Sequence, residues 1–281
     1  MNVYEIVADK IIKQLEAGVI PWRKPWAGRN APMNWVSQKR YRGINRFLLE
    51  PGEYVTYRQA INVGGYVKKG EKGNQVIFWK ILEKESGVKE EKDYFPMLRY
   101  YTVFEISQCE GIERRHPDTA QTPEFSIIEE GEKILSGYEE GPIIAHGKDR
   151  ASYSQITDTV NMPDREMFES ESDYYSTIFH ELCHSTGHKE RLNREGIVKN
   201  TNFGDERYAF EELVAEFGSA MLCGIAGIDP ATIDNSSAYI SGWIDRLKRE
   251  PKWLVQSASQ AQRAADWIIG KRGEEGEQPE K

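Results

Sequence analysis

The 281-residue chain has no run of about 18 apolar residues, so it encodes no transmembrane helix. Its first residues carry Glu5, Asp9, Lys10, Lys13 and Glu16 where a secretory leader would be apolar. Cysteine is scarce: Cys109, Cys183 and Cys223, none in a CxxC pair. That excludes a disulfide framework and points to a reducing, cytoplasmic setting. The glycine-rich loop at 70–73 is followed by no Gly-Lys-Ser/Thr, which removes a Walker-type phosphate loop. Carboxylate clusters suited to Mg²⁺ are also missing, which argues against metal-dependent nuclease chemistry.

Charge is unevenly placed. The formal net charge is −8, yet residues 1–110 hold 18 Lys and Arg against 13 Asp and Glu, leaving the remainder strongly acidic. Between residues 23 and 80 the count is 12 basic to 3 acidic. A basic segment joined to an acidic one implies that the first meets a polyanion.

With only five histidines in the chain, two fall in His180-Glu181-Leu182-Cys183-His184, an HExxH pattern. On a helix, positions i and i+4 share a face, so both imidazoles reach one ion. Glu181 sits at the flank, where a carboxylate takes a proton from an activated water. Tyr174, Tyr175, Ile178, Phe179, Leu182 and Cys183 recur at helical spacing and would bury such a helix. Glu171 and Asp173 suit its first turn, and Gly187 is a candidate for the residue just past its end.

A hydrolytic zinc site takes three protein ligands and leaves a position for water. His188, Glu190 and Glu212 are the candidates for the third. On an unbroken helix His188 lies about 12 Å along the axis from His180, too far to share an ion. Glu190 stands where some zinc peptidases place a histidine. The stretch from Tyr208 to Met221 reads as a second buried helix with Glu212 and Glu216 one turn apart on one face. That arrangement resembles the second helix of gluzincin peptidases, with Glu212 as ligand and Glu216 orienting a ligand histidine. The expected cofactor is one Zn²⁺ or another divalent ion.

The basic segment interleaves aromatics with cations: Trp22, Arg23, Lys24 and Trp26, then Arg40, Tyr41, Arg42 and Asn45, then Lys68, Lys69 and Lys72. Ring faces that stack bases, alternating with cations that track phosphates, suit single-stranded nucleic acid. Val3 to Leu15 reads as an amphipathic helix, Thr56 to Ile61 as a short one. Gln75 to Lys80 and Leu98 to Phe104 read as paired strands around a charged turn. After a polar linker, Ser126 to Ser136 reads as a helix, Ile143 to Ala145 and Ser152 to Asn161 as strands. Ser237 to Arg249 and Pro251 to Ile269 read as helices.

Pro21 to Trp26, Tyr41 to Asn45, the loop from Gly64 to Gly73 leading into Val76 to Lys80, and Tyr101 to Phe104 resemble the N-terminal single-stranded-DNA-binding domain of ArdC-type antirestriction proteins. Phe179 to His188, Arg191-Leu192 and Glu211 to Glu216 resemble the zincin-like domain of that family. The resemblance implies an α+β protein of two domains, an ssDNA-binding module (1–112) and a zincin-like metallopeptidase domain (126–270). The polar residues 113–125, with two prolines, read as a linker between them, and the charged residues 271–281 as a disordered tail. It implies a protein of mobile genetic elements that shields incoming DNA from restriction. It favours a downstream glutamate as third ligand over His188 or Glu190, without choosing between Glu212 and its neighbours. Two rival expectations remain: a pure ssDNA-binding protein with a structural metal site, and a protease acting on DNA-bound proteins and stimulated by DNA.

Overall fold

The computed structural model describes residues 2–23, 31–85, 92–116, 127–198, 206–228 and 237–271. The chain opens with α1 (Val3–Glu16), started by a capping box in which Asn2 accepts from the Glu5 amide and Glu5 accepts from the Asn2 amide. Its stripe of Val7, Ala8, Ile11, Ile12 and Leu15 is buried, as the periodicity predicts.

Next come β1 (Met33–Asn34), α2 (Asn45–Leu48), β2 (Glu53–Thr56), α3 (Tyr57–Asn62), β3 (Tyr66–Val67), β4 (Asn74–Glu85), β5 (Lys92–Glu105) and β6 (Cys109–Glu110). Four strands form a sheet in the order β1-β2-β5-β4, with β1 and β2 parallel and the other pairs antiparallel. The strands read at 75–80 and 98–104 are both longer than their apolar cores suggested, because β4 and β5 keep pairing through the charged residues beyond them. Thr56 starts α3 through a second capping box, with Gln59. Residues 113–116, assigned to the linker, lie against this module: Glu53 Oε2 accepts from the Arg115 amide at 2.7 Å.

The second half contains α4 (Ile127–Gly137), β7 (Ile143–Ala145), β8 (Ser152–Ser154), β9 (Thr159–Asn161), α5 (Glu171–Ser185), α6 (Glu195–Val198), α7 (Glu206–Ala226), α8 (Ser237–Arg249) and α9 (Lys252–Ile268). The single strand expected over 152–161 is a hairpin instead. It turns at Asp158, whose φ is 46°, and pairs Ser152 with Asn161. The order β7-β9-β8 leaves β8 at the edge of its sheet.

The largest core joins both halves. Residues of α1, Trp22 and Phe47 share it with α5, α7, α8 and α9. At its centre α5 and α7 approach closely: a Cβ on Gly218 would stand 2.5 Å from Cys183 Sγ. Ser219 Oγ donates to the Ser176 carbonyl at 2.8 Å and fixes the register of the two helices. Among the described residues no helix is long and apolar enough to cross a membrane.

Candidate metal centre

Helix α5 starts at Ser170, whose hydroxyl accepts from the Asp173 amide, with Glu171 and Asp173 in its first turn. It ends at Thr186 in right-handed geometry, so Gly187 is not the left-handed residue expected after a helix. A glycine suits that position for another reason: a Cβ there would stand 2.5 Å from Ile197.

Burial of the Tyr174–Cys183 stripe against α7 turns His180 and His184 toward one cleft. Their Nε2 atoms are 3.1 Å apart. From α7, Glu212 Oε2 stands 3.5 Å from His180 Nε2, and its Oε1 stands 3.4 Å from His184 Nε2. Ligand atoms of one tetrahedral zinc, at about 2.0–2.1 Å from the metal, lie about 3.3 Å from each other. The three side chains therefore fit an ion without rearrangement, and they form a metal-binding group.

Electrostatics agree with that fit. Burial disfavours a charged His184, but hydrogen bonds and charge from Glu211 and Glu212 outweigh it and raise the imidazole to about 10. Burial pushes Glu212 upward, and the two imidazoles overcome this to hold it well below the usual carboxylate range. A place that raises proton affinity so far also favours a metal cation, which takes the proton's place.

Behind the group lies a buried assembly. His184 Nδ1 is 3.3 Å from Glu211 Oε1, so an imidazole with Nε2 turned to the metal position has its other nitrogen against a carboxylate. Arg194 holds Glu211 through Nε (2.9 Å to Oε2) and Nη2 (2.6 Å to Oε1). The same guanidinium donates to the Cys183 carbonyl at 2.7 Å and to Thr186 Oγ1 at 2.6 Å. Glu211 and Arg194 are 3% and 7% exposed. Glu216, expected to orient a ligand histidine, accepts from Tyr239 of α8 at 3.0 Å. One turn of helix carries it about 6 Å from Glu212 along α7, and it is Glu211 that meets His184. Glu190 is exposed and pairs with Lys189, and neither Glu190 nor His188 joins the group.

The cleft holds about 490 Å³ and includes Glu181 beside the ligands, Ser152 and Tyr153 of the edge strand β8, and Tyr208 of α7. The Tyr208 hydroxyl hydrogen-bonds Glu212. Burial, with the charge and hydrogen bond of Glu212, pushes the phenol up to about 12, so it stays a donor through neutral pH. Sequence reasoning assigned no role to Tyr208, Glu211 or Arg194. The one available signal was the acid adjacent to Glu212, and adjacency alone does not say which of two neighbours faces a histidine.

The residues proposed for nucleic acid scatter. Trp22 is 1% exposed and packs edge-on against Phe217 and Trp243, so it cannot stack a base. Tyr41 is buried edge-on against Tyr54. Asn45 is buried with both ends of its amide on the Ile77 backbone. Arg42 forms an ion pair with Asp266 of α9. Lys68 Nζ donates to the Ser107 carbonyl at 2.8 Å. Arg40, Lys69 and Lys72 are exposed. The Arg23 side chain, Lys24 and Trp26 lie outside the described residues. Exposed aromatics do occur on this half, at Tyr57, Tyr66 and Tyr100, none of which is among those residues.

An HExxH helix crossed by a glutamate-bearing helix, beside a small edge-stranded sheet, defines a zincin-like metallopeptidase domain. Residues 131–260 match the family described by that term, and residues 1–104 match the N-terminal domain of anti-restriction factor ArdC. The chain belongs to the ArdC-type antirestriction family. It is similar to the antirestriction ArdC protein of plasmid R388, whose metal-free crystal structure shares 35% identity at a TM-score of 0.77, covering 96% of this chain and 98% of that one. A Mn(II)-bound crystal structure of the same protein matches at 34% identity, with the same TM-score, over 97% of this chain and 99% of that one. An uncharacterised Sinorhizobium fredii protein, y4eC, is 32% identical over 95% of this chain and 91% of its own length. An Escherichia coli DNA primase TraC is 36% identical over 95% of this chain, which spans only 20% of that protein's length.

Proposed function

We propose that this protein binds single-stranded DNA through its basic first half and hydrolyses peptide bonds at the metal centre. The observation that carries the second part is an intact general base, Glu181, beside three converged ligands in an open cleft. A purely structural metal site has no use for that carboxylate.

His180, His184 and Glu212 would hold one divalent ion. Two imidazoles and a carboxylate suit zinc. Once bound, the ion supplies Lewis-acid activation of water and of the scissile carbonyl. Glu181 takes a proton from the attacking water and passes it to the leaving amine. The Tyr208 hydroxyl donates to the negative oxygen that develops on the former carbonyl. Glu211, locked by Arg194, keeps the His184 ring from turning away.

The experiment is Glu181→Gln in the metal-loaded protein. Metal content is expected to stay the same while peptide hydrolysis falls by about 10²–10⁴-fold; loss of metal, or full activity, would remove Glu181 from this role. DNA binding is tested with the full chain across a salt series, where affinity should fall steeply as salt rises. Proteolysis that rises on adding single-stranded DNA would join the two activities.

A further inference from the structure

The cleft at the metal position leaves one charge uncompensated. Glu211 is held there by Arg194, and Glu212 stands against the two ligand imidazoles. With a divalent ion in place, its two positive charges are matched by Glu212 and Glu181. Among the described residues that line the cleft, Arg150 alone is a lysine or arginine. It is exposed, and its guanidinium has no hydrogen-bond or ion-pair partner among the described residues. Arg191, which reaches the hydroxyl of Tyr153 on the same side of the cleft, is by contrast bound to Asp158 and to the Ser185 carbonyl. Asp149, next to Arg150 in the chain, is exposed but does not line the cleft.

Residues 150–153 and Gln155 make one wall of that cleft. Strand β8 within it pairs with β9 along one edge, and among the described residues its other edge carries no strand. An extended peptide adds to such an edge by main-chain hydrogen bonds, which leaves specificity to what its side chains meet. The wall is held in place: Tyr153 Oη donates to Asp158 at 2.8 Å, and Ser152 Oγ accepts from Asn161 at 3.4 Å. Arg150 comes two residues before Ser152, at one end of this wall, and the rest of the wall is uncharged.

We propose that Arg150 sets substrate specificity, its guanidinium receiving a carboxylate of the bound peptide, so that the enzyme prefers peptides with an Asp or Glu near the scissile bond. This rests on the peptidase reading given above. The planar fork of an arginine matches the two oxygens of a carboxylate through parallel N–H bonds. A free C-terminus presents the same group, and the test separates the two sources.

The test uses the full, metal-loaded chain and acetylated, amidated peptides of neutral sequence, with Glu or Gln placed at each position in turn. At one position the wild type should cleave the Glu peptide with a kcat/KM about two- to fivefold higher, the size of effect an exposed ion pair has. That gap should shrink as salt rises. Arg150→Gln should remove it, and Arg150→Glu should turn it into a preference for Lys, both with the metal content and melting temperature of the wild type. A gap found only between free and amidated C-termini, and lost in Arg150→Gln, assigns the carboxylate to the chain end. Equal kcat/KM for every pair, or a gap that survives in Arg150→Gln, overturns the proposal and leaves the peptidase reading standing. No cleavage of any peptide by the wild type defeats the peptidase reading itself. Arg150 is then read from the affinity of the same peptide pairs for metal-loaded Glu181→Gln, where equal binding of the Glu and Gln peptides overturns it.

Discussion

Arg194 and Glu211 are joined through both nitrogens of one guanidinium edge, almost wholly out of water, and the carboxylate oxygen nearest Arg194 Nη2 also faces His184 Nδ1. The loop after α5 thereby reaches back to brace a ligand that α5 itself presents. Removing Arg194 leaves a buried carboxylate without its partner. Arg194→Met is expected to cost about 3–5 kcal/mol of folding stability. Glu211→Gln should instead act mainly on the site, lowering metal affinity by about 10–100-fold. Denaturant titration and chelator competition read the two effects separately, and equal metal affinity in Glu211→Gln would deny it the bracing role.

Tyr208 shares the cleft with Glu181 and touches Glu212 through its hydroxyl. If that hydroxyl serves the developing oxyanion, Tyr208→Phe should lower kcat by about 10²–10³-fold while KM and bound metal change little. A variant that loses metal in step with activity would show that the hydroxyl only supports Glu212.

Asp158 sits at the turn of the β8–β9 hairpin, accepts from Tyr153 Oη at 2.8 Å, and pairs with Arg191. Burial pushes its carboxyl upward, and the hydrogen bonds from Arg191 and Tyr153 outweigh it to leave it below the usual value. A depressed carboxyl stabilises the fold above its unfolded value of about 3.9, and that contribution fades as pH falls through the lower folded value. Asp158→Asn should therefore be less stable than the wild type at pH 6, by about 1 kcal/mol or less because the side chain is partly exposed. The gap should close below about pH 4. Urea unfolding of both proteins from pH 6 to pH 3 measures it, and a gap independent of pH would assign the effect to something other than the charge.

Much of the metal centre could be read from the chain because its spacing and its burial pattern coincide. The apolar stripe that packs α5 on α7 also dictates where His180 and His184 point. Glu212 followed from the same reasoning on α7. Glu211 did not, since it is one residue and 100° away, and its orientation depends on Arg194, which arrives from a loop. The basic half was less legible. A run such as Pro21 to Trp26 shows which residue types are present but not which side faces in. Trp22 turned inward because α7 offers it Phe217 and α8 offers it Trp243. The stripe on α1 announced a buried face, while its partners lie at the far end of the chain.

That last arrangement sets a timetable. Helix α1 packs on α8 and α9, and about 220 residues separate the end of α1 from the start of α8. At about 5–20 residues per second, a ribosome needs roughly 10–45 s to deliver the surface that α1 covers. Throughout that interval Ile11, Ile12 and Leu15 wait without the neighbours that α8 and α9 bring. A fragment ending near residue 125 would keep this exposed stripe permanently, which makes the whole chain the proper unit for any binding measurement.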